Sequence, residues 1–365
     1  MWRSRCHSLG AVSSFLRCAL ALILLVSCGS TDTEPRPSVA RTYRMGFTHL
    51  PPRLTIPEVL RTIDSASRHA DAALMVVDIP WVALLADTNP SFLVRRDLLE
   101  IAKLYRQRAM PIAATLEIAN GLDRAAEAAA LVKLGRSITD PVVQRVYRDY
   151  AVAFDSIIRP TWLALAMETN LMRLLAPAPV YSAIVTATNA AARQLRTAGS
   201  TTSLMISVQV ETAWGKLGNS TYTGIQRDRT DFSFMQALGL SSYPYLGGFA
   251  TPEQIPIEYY SRLVADAPLP MLVVEGGWSS GSVTGVTSSP DLQARYIRRQ
   301  AQIADAAKLV GVFQITFTDL DLVSYQVPQG SILPLFALLG LVDVNYRPKP
   351  ALAVWDSVRA TPFAP

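Results

Sequence analysis

Eight short apolar runs, separated by longer stretches of helical period, constrain this chain more than any other feature of it. They fall at 43–49, 72–79, 111–118, 162–168, 203–210, 236–243, 270–275 and 311–317 and are rich in Val, Ile, Leu and Met. Runs that are apolar throughout, rather than alternating, belong to strands buried on both faces, and strands joined by helical crossovers lie parallel. The intervening helices announce their starts. Asp140 before Pro141 pairs an N-cap with proline at the first helical position, and Val143, Val146, Tyr147, Tyr150, Phe154 and Ile157 follow as one apolar stripe. Ser289 and Pro290 repeat the device ahead of Leu292, Tyr296, Ile303 and Ala307; Leu98, Ile101, Ala102 and Tyr105 make a third face, and 349–355 opens a closing helix.

Eight such units in one domain predict an α/β fold, a single (β/α)8 TIM barrel over residues 43–362. An open dinucleotide-binding sheet would need a Gly-x-Gly-x-x-Gly turn after its first strand, and this chain has Gly46-Phe47-Thr48-His49 there.

Ahead of the barrel lies a leader. Residues 1–27 combine Arg3, Arg5 and Arg17 with an apolar run from Cys18 to Val26, too short for a permanent membrane span, and read as a cleaved signal peptide. The junction Leu25-Val26-Ser27-Cys28 resembles the lipobox of bacterial lipoproteins, which implies that Cys28 becomes the acylated first residue of an exported, membrane-anchored chain. Acyl groups would hold it through about 0.8 kcal/mol per buried methylene. In such lipoproteins Gly29, rather than an acid, implies the outer membrane of the cell envelope. Residues 28–42, polar and Pro-containing, read as a flexible tether.

The leader also explains the charge. Basic residues number 34 against 29 acidic, for a net charge of +5, but three of the basic ones leave with the leader and the remainder carries +2. That surface offers no footprint for nucleic acid. Of the three cysteines, Cys6 and Cys18 leave as well, so no disulfide, two-cysteine redox motif or thiolate zinc site is expected. Only His49 and His69 remain as imidazoles, which disfavours a metal-dependent hydrolase, and no Gly-x-Ser-x-Gly elbow accompanies them. No metal or cofactor is expected, and the sequence is silent on oligomeric state.

Carboxylates remain as the source of chemistry. Barrel sites form at the C-terminal ends of strands, and the predicted ends carry Asp78, Glu117, Glu168, Glu211, Glu275 and Asp319. A glycosidic bond is cleaved by one carboxylic acid that protonates the leaving oxygen and one carboxylate that attacks the anomeric carbon. Phe47, Trp81, Trp214, Tyr243, Tyr245 and Trp278 stand near the same ends, and flat aromatic faces suit the C–H faces of sugars. His49 is either structural or a donor to substrate.

These segments resemble the retaining glycoside hydrolases with (β/α)8 barrels whose catalytic glutamates end strands 4 and 7, nearest to the endo-β-1,4-galactanase family. Leu165-Ala166-Met167-Glu168-Thr169-Asn170 resembles the strand-4 segment, which implies Glu168 as acid/base. Leu272-Val273-Val274-Glu275-Gly276-Gly277-Trp278-Ser279 is similar to the strand-7 motif, which implies Glu275 as nucleophile. Leu238 to Tyr245 resembles strand 6, whose Tyr donates to the nucleophile; Tyr243 takes that part. Tyr243, Trp278, Trp214, Trp81, Asn170, Glu211, Glu117, Asp78 and His49 are then the candidate substrate contacts. Three family features are missing: Met167 stands where an Asn normally precedes the acid/base, the usual Arg near the end of strand 2 is replaced by Asp78-Ile79-Pro80-Trp81, and strand 8 ends Thr316-Phe317-Thr318-Asp319 without its frequent Trp.

The expectation is a lipid-anchored retaining glycosidase of a β-linked poly- or oligosaccharide. Two alternatives stay open: a surface lipoprotein that binds glycan on an inactive barrel, and a barrel that recognises phosphate through the Gly276–Gly285 run.

Overall fold

The computed structural model describes residues 40–217 and 221–364. The leader, Cys28 and the tether as far as residue 39 lie outside the described residues. Arg41 and Thr42, expected in the tether, belong to the barrel. Arg41 donates to the Tyr43 carbonyl at 2.6 Å, pairs with Asp71 at 2.7 Å, and its backbone exchanges hydrogen bonds with Pro362 and Ala364.

The strands are β1 Arg44–Phe47, β2 Ala72–Asp78, β3 Ile112–Glu117, β4 Trp162–Ala164, β5 in two runs Ser203–Met205 and Ser207–Gln209, β6 Leu238–Ser242, β7 Met271–Gly276 and β8 Gly311–Gln314. All pair in parallel. The first run of β5 pairs with β4 and the second with β6, so the interruption at Ile206 lets one strand join both neighbours and close the ring. The expected (β/α)8 barrel is thus the fold found. The helical crossovers cover the outer face of each strand, and closure of the ring buries the inner one.

Alternation along the strands sorts side chains into two layers. Ala72, Leu74, Ala113, Met205, Leu272 and Phe313 fill the barrel interior, while Met75, Leu116, Leu163 and Leu240 face the helices. The helix Pro141–Ile158 shows how that outer layer is built. Asp140 accepts from the Val142 amide at 2.7 Å, and Val143, Tyr147, Tyr150 and Phe154 are buried, each contributing about 1.5–3 kcal/mol. Tyr147 then reaches the Leu165 carbonyl at 2.6 Å and fixes the chain beyond β4.

Two local departures matter for the site. The connection after β6 forms only the 3-10 turns Pro252–Gln254 and Ser261–Val264, because prolines at 244, 252, 256, 268 and 270 remove helix donors and block the preceding turn. β4 stops at Ala164 instead of running to residue 168. Its continuation leaves the strand, and Glu168 sits in the left-handed region at φ 46°, ψ 46°, immediately before the short helix Thr169–Leu175.

Candidate active site

The C-terminal mouth of the barrel collects the acids. Asp78 and Glu117 end β2 and β3 in register with one another, Glu168 follows β4, and Glu275 lies next to last in β7. Regular alternation would turn Glu275 toward the helices, since Leu272 and Val274 already face inward. A bulge prevents this. Leu240 pairs with Val273 but Ser241 with Glu275, so Val274 is the extra residue and the following carboxylate turns into the mouth. The glycines behind it are needed for that path. A Cβ at Gly276 would come within 2.5 Å of the Ser242 carbonyl oxygen, and Gly277 has φ 152°.

Glu168 is buried and held on both oxygens. Ser241 donates to Oε1 at 2.7 Å, Arg124 Nε donates to Oε2 at 2.7 Å, and the Glu168 amide donates to Ser207 Oγ at 2.8 Å. Its left-handed backbone costs about 1–3 kcal/mol, strain of the kind found where a side chain must be aimed. Arg124 also donates through Nη1 to Glu117 Oε1 at 2.7 Å, which makes a buried Glu117–Arg124–Glu168 cluster. Burial works against the guanidinium's charge, yet Glu117 and Glu168 outweigh it and keep Arg124 firmly cationic. Burial raises the Glu117 carboxyl as well, with Arg124 opposing.

Glu275 is half-buried and bonded differently. Tyr243 donates to its Oε1 at 2.8 Å. Burial, reinforced by the negative charge of Glu168, pushes the Glu275 carboxyl up to about 8, with Arg124 and Tyr243 acting in the other direction. The Glu275 carboxyl therefore holds its proton at neutral pH. Both oxygens of Glu168, by contrast, accept from donors.

The other candidates separate into those near the mouth and those buried elsewhere. Asp78 and His49 line a cavity of about 460 Å³ beside β1, β2 and β8, together with Thr48, Leu54, Val76 and Ile315. His49 Nδ1 is sealed without a partner among the described residues, and burial lowers the imidazole to about 4, so the ring is neutral. Glu211 belongs to a separate buried cluster. It accepts from Gln209, from Tyr259 at 3.0 Å and from Ser242 at 3.1 Å, and burial raises it to about 7 despite those donors.

Three aromatic contacts and one amide are corrected. Trp81 is buried against Tyr147, and Trp278 is buried between Tyr245 and Tyr296 with its indole N–H on Ser288, so neither ring has a face for a sugar. Trp214 stacks on Tyr259 at 5.1 Å and carries Arg262 at 4.8 Å from its ring centre, so it is no open platform either. Asn170 spends its amide on the backbone of Gln209, donating at 2.9 Å and accepting at 2.8 Å, and so pins the Thr169–Leu175 helix to β5. Arg124 and Ser241 are the groups that sequence reasoning left without a role. Arg124 lies in the loop after β3, where a lone arginine between Asp123 and Ala125 carries no signal until the loop is folded over the mouth.

No known family profile matches the sequence, and no curated protein matches it. Solved structures do match in fold. An exo-β-1,4-mannosidase from an Opitutaceae bacterium, strain TAV5, is 16% identical with a TM-score of 0.62 over 88% of this chain, which spans 60% of the mannosidase's length. A GH5_18 protein from Bifidobacterium longum subsp. infantis is 15% identical with a TM-score of 0.61, covering 89% of this chain and 81% of that one. Xylanase 10B from Thermotoga maritima is 13% identical with a TM-score of 0.59, covering 87% and 95%. At 13% to 16% identity these likenesses show a shared barrel fold.

Proposed function

We propose that this protein is a retaining glycosidase of a β-linked poly- or oligosaccharide, with Glu168 and Glu275 as its catalytic pair. The observation that carries the reading is the pair of carboxyls at the mouth: Glu168 is hydrogen-bonded on both oxygens, and Glu275, touched by Tyr243, is raised to about 8 by burial and the Glu168 charge. Fold likeness to a mannosidase, a GH5_18 protein and a xylanase supports it. The chemistry is a double displacement. The proton that Glu275 holds passes to Glu168 as substrate binds, which leaves Glu275 ionised. Glu275 then attacks the anomeric carbon while Glu168 gives the proton to the departing oxygen, and Glu168 next deprotonates the water that releases the sugar. Two carboxyls, Glu117 and Glu168, flank one guanidinium, a balance that repels uronates and favours neutral sugars.

A second reading is favoured by the ion pair itself. A Glu168 clamped by Arg124 could serve a barrel that binds glycan without cleaving it. The deciding experiment incubates wild type, Glu168→Gln and Glu275→Gln with a panel of 4-nitrophenyl β-glycosides and β-glycans. Hydrolysis by wild type, lost by about 100-fold or more in each variant, supports catalysis. Binding in calorimetry with no new reducing ends supports the second reading.

The leader carries the cellular part of the proposal: export, cleavage before Cys28, and acylation of that residue, which tethers the barrel to the outer membrane. Metabolic labelling with a palmitate analogue, abolished by Cys28→Ser, tests it.

A further inference from the structure

The cavity of about 460 Å³ beside β1, β2 and β8 has an aliphatic wall for which the proposed chemistry has no use. Pro51, Leu54, Ile56, Val59, Val76 and Ile315 form it, and the polar side chains of the lining are Thr48, His49, Thr55 and Asp78. Thr48 is already bonded to the Ile315 carbonyl at 2.5 Å, and Thr55 to the Glu58 amide at 3.4 Å. The lining holds no Lys or Arg to pair with an anion, and no Phe, Tyr or Trp face on which a sugar ring could lie. What fits the wall is aliphatic and uncharged.

The wall is also preformed. The Asp321 amide donates to the Pro52 carbonyl at 2.9 Å, the Tyr325 hydroxyl to the Pro51 carbonyl at 2.6 Å and the Leu54 amide to Ser324 Oγ at 3.2 Å, while Arg53 pairs with Asp321 at 3.1 Å. These bonds hold the loop after β1 against the loop after β8, with Leu54 57% and Ile56 77% exposed. Apolar side chains fixed open in this way bind a ligand without first paying to be ordered.

Its place relative to the glutamates says what reaches it. The Ile315 amide donates to the carbonyl of Gly276, next to Glu275, at 3.2 Å, and Asp78 pairs in register with Glu117, which shares Arg124 with Glu168. The cavity therefore adjoins the mouth on the side of β8 and β1, whereas Glu168 follows β4, across the ring of eight strands. A departing group lies beside the acid that protonates it, and the retained sugar extends the other way. Resting on the glycosidase reading above, we infer that the cavity is a subsite for an aliphatic acyl chain esterified to the retained sugar, so that the substrate class is O-acylated glycans. The chain has several carbons, because a methyl or acetyl group would leave most of the cavity empty.

The test measures Kd by calorimetry for methyl β-glucoside, β-mannoside and β-galactoside and for their mono-esters, at the 4- or the 6-hydroxyl, with saturated acyl chains of about two to eight carbons. In wild type, Kd is expected to tighten about two- to fourfold per added methylene in at least one ester series. The ratio of Kd for the unesterified sugar to Kd for its longest ester should fall about tenfold or more in Leu54→Asp and about threefold or more in Val76→Thr. That ratio cancels whatever a variant does to the sugar itself. Leu54 is an exposed side chain and Val76→Thr is nearly isosteric, so both proteins keep the fold. A Kd flat across every ester series, or a ratio that both variants retain in full, overturns the inference. So does tightening confined to alkyl β-glycosides of the same lengths, whose chain lies on the departing group. Hydrolysis of the plain glycoside panel judges the glycosidase reading separately: no hydrolysis beside a steep ester series overturns that reading and leaves the acyl subsite standing.

Discussion

The Tyr243 hydroxyl donates to Glu275 Oε1 at 2.8 Å, and this bond ties the β7 carboxyl to the strand beside it. It favours the charged form of Glu275, against the burial and the Glu168 charge that favour the neutral one. Tyr243→Phe should therefore move the alkaline limb of kcat/KM to higher pH and slow the reaction about tenfold to a hundredfold. A pH–rate profile of the variant beside wild type measures both effects. A slower enzyme with an unmoved limb would show that Tyr243 acts only through packing.

The alkaline limb itself is predicted for wild type. Glu275 holds its proton up to about 8, and in the proposed reaction this is the proton that reaches the leaving oxygen. Activity should fall as pH rises through that value, one decade per unit. Glycoside hydrolysis followed from pH 5 to 10 gives the limb directly; an activity still rising at pH 10 would contradict delivery of the Glu275 proton.

Glu211 should make the fold weaker as pH rises. Its carboxyl is raised from an ordinary 4.5 to about 7 by burial, so between those values the folded chain holds a proton that the unfolded chain has released. Stability is then greatest below 4.5 and is lost as pH climbs toward 7, by about 2 kcal/mol between pH 5 and 7 from this group alone. Glu211→Gln keeps the shape and removes the titration. Urea unfolding at pH 5 and pH 8 should show a smaller difference in the variant than in wild type.

Gly276→Ala should damage both fold and activity. The new methyl would meet the Ser242 carbonyl oxygen at 2.5 Å, and backbone rather than a flexible side chain has to give way. A loss of about 1–3 kcal/mol is expected, with a displacement of Glu275 that lowers kcat more than it raises KM. Thermal unfolding and steady-state kinetics on the same preparation distinguish the two contributions.

How much of this was legible before folding depends on what each residue had to reveal. The strands were legible because a strand buried on both faces is written in consecutive Val, Ile and Leu, as at Leu272-Val273-Val274. The segment Leu165-Ala166-Met167 reads the same way yet leaves β4, because the Tyr147 hydroxyl and the left-handed turn at Glu168 are tertiary facts. The glutamates could be singled out by position. The rings of Trp81, Trp214 and Trp278 could not be judged, since an aromatic at a strand end looks alike whether its face is open or covered by Tyr147, Tyr259 or Tyr245. Arg124 was invisible for a related reason. Its partners lie 7 and 44 residues away, and only the closed ring brings them together.

The single surplus residue at Val274 has a wider meaning for how this site is inherited. Facing direction at Glu275 is stored in a miscount between two neighbouring strands and not in the identity of any one side chain. A regular pairing of β6 with β7 that took Val274 into the ladder would keep every side chain at the site in the protein and still turn Glu275 outward among the helices, whereas removing Val274 would restore alternation from Leu272 with the carboxylate facing inward. Substitutions throughout β7 can therefore be forgiven more readily than a one-residue slip of its pairing with β6, so the register of this strand is a more stringent guide to a working relative than its letters.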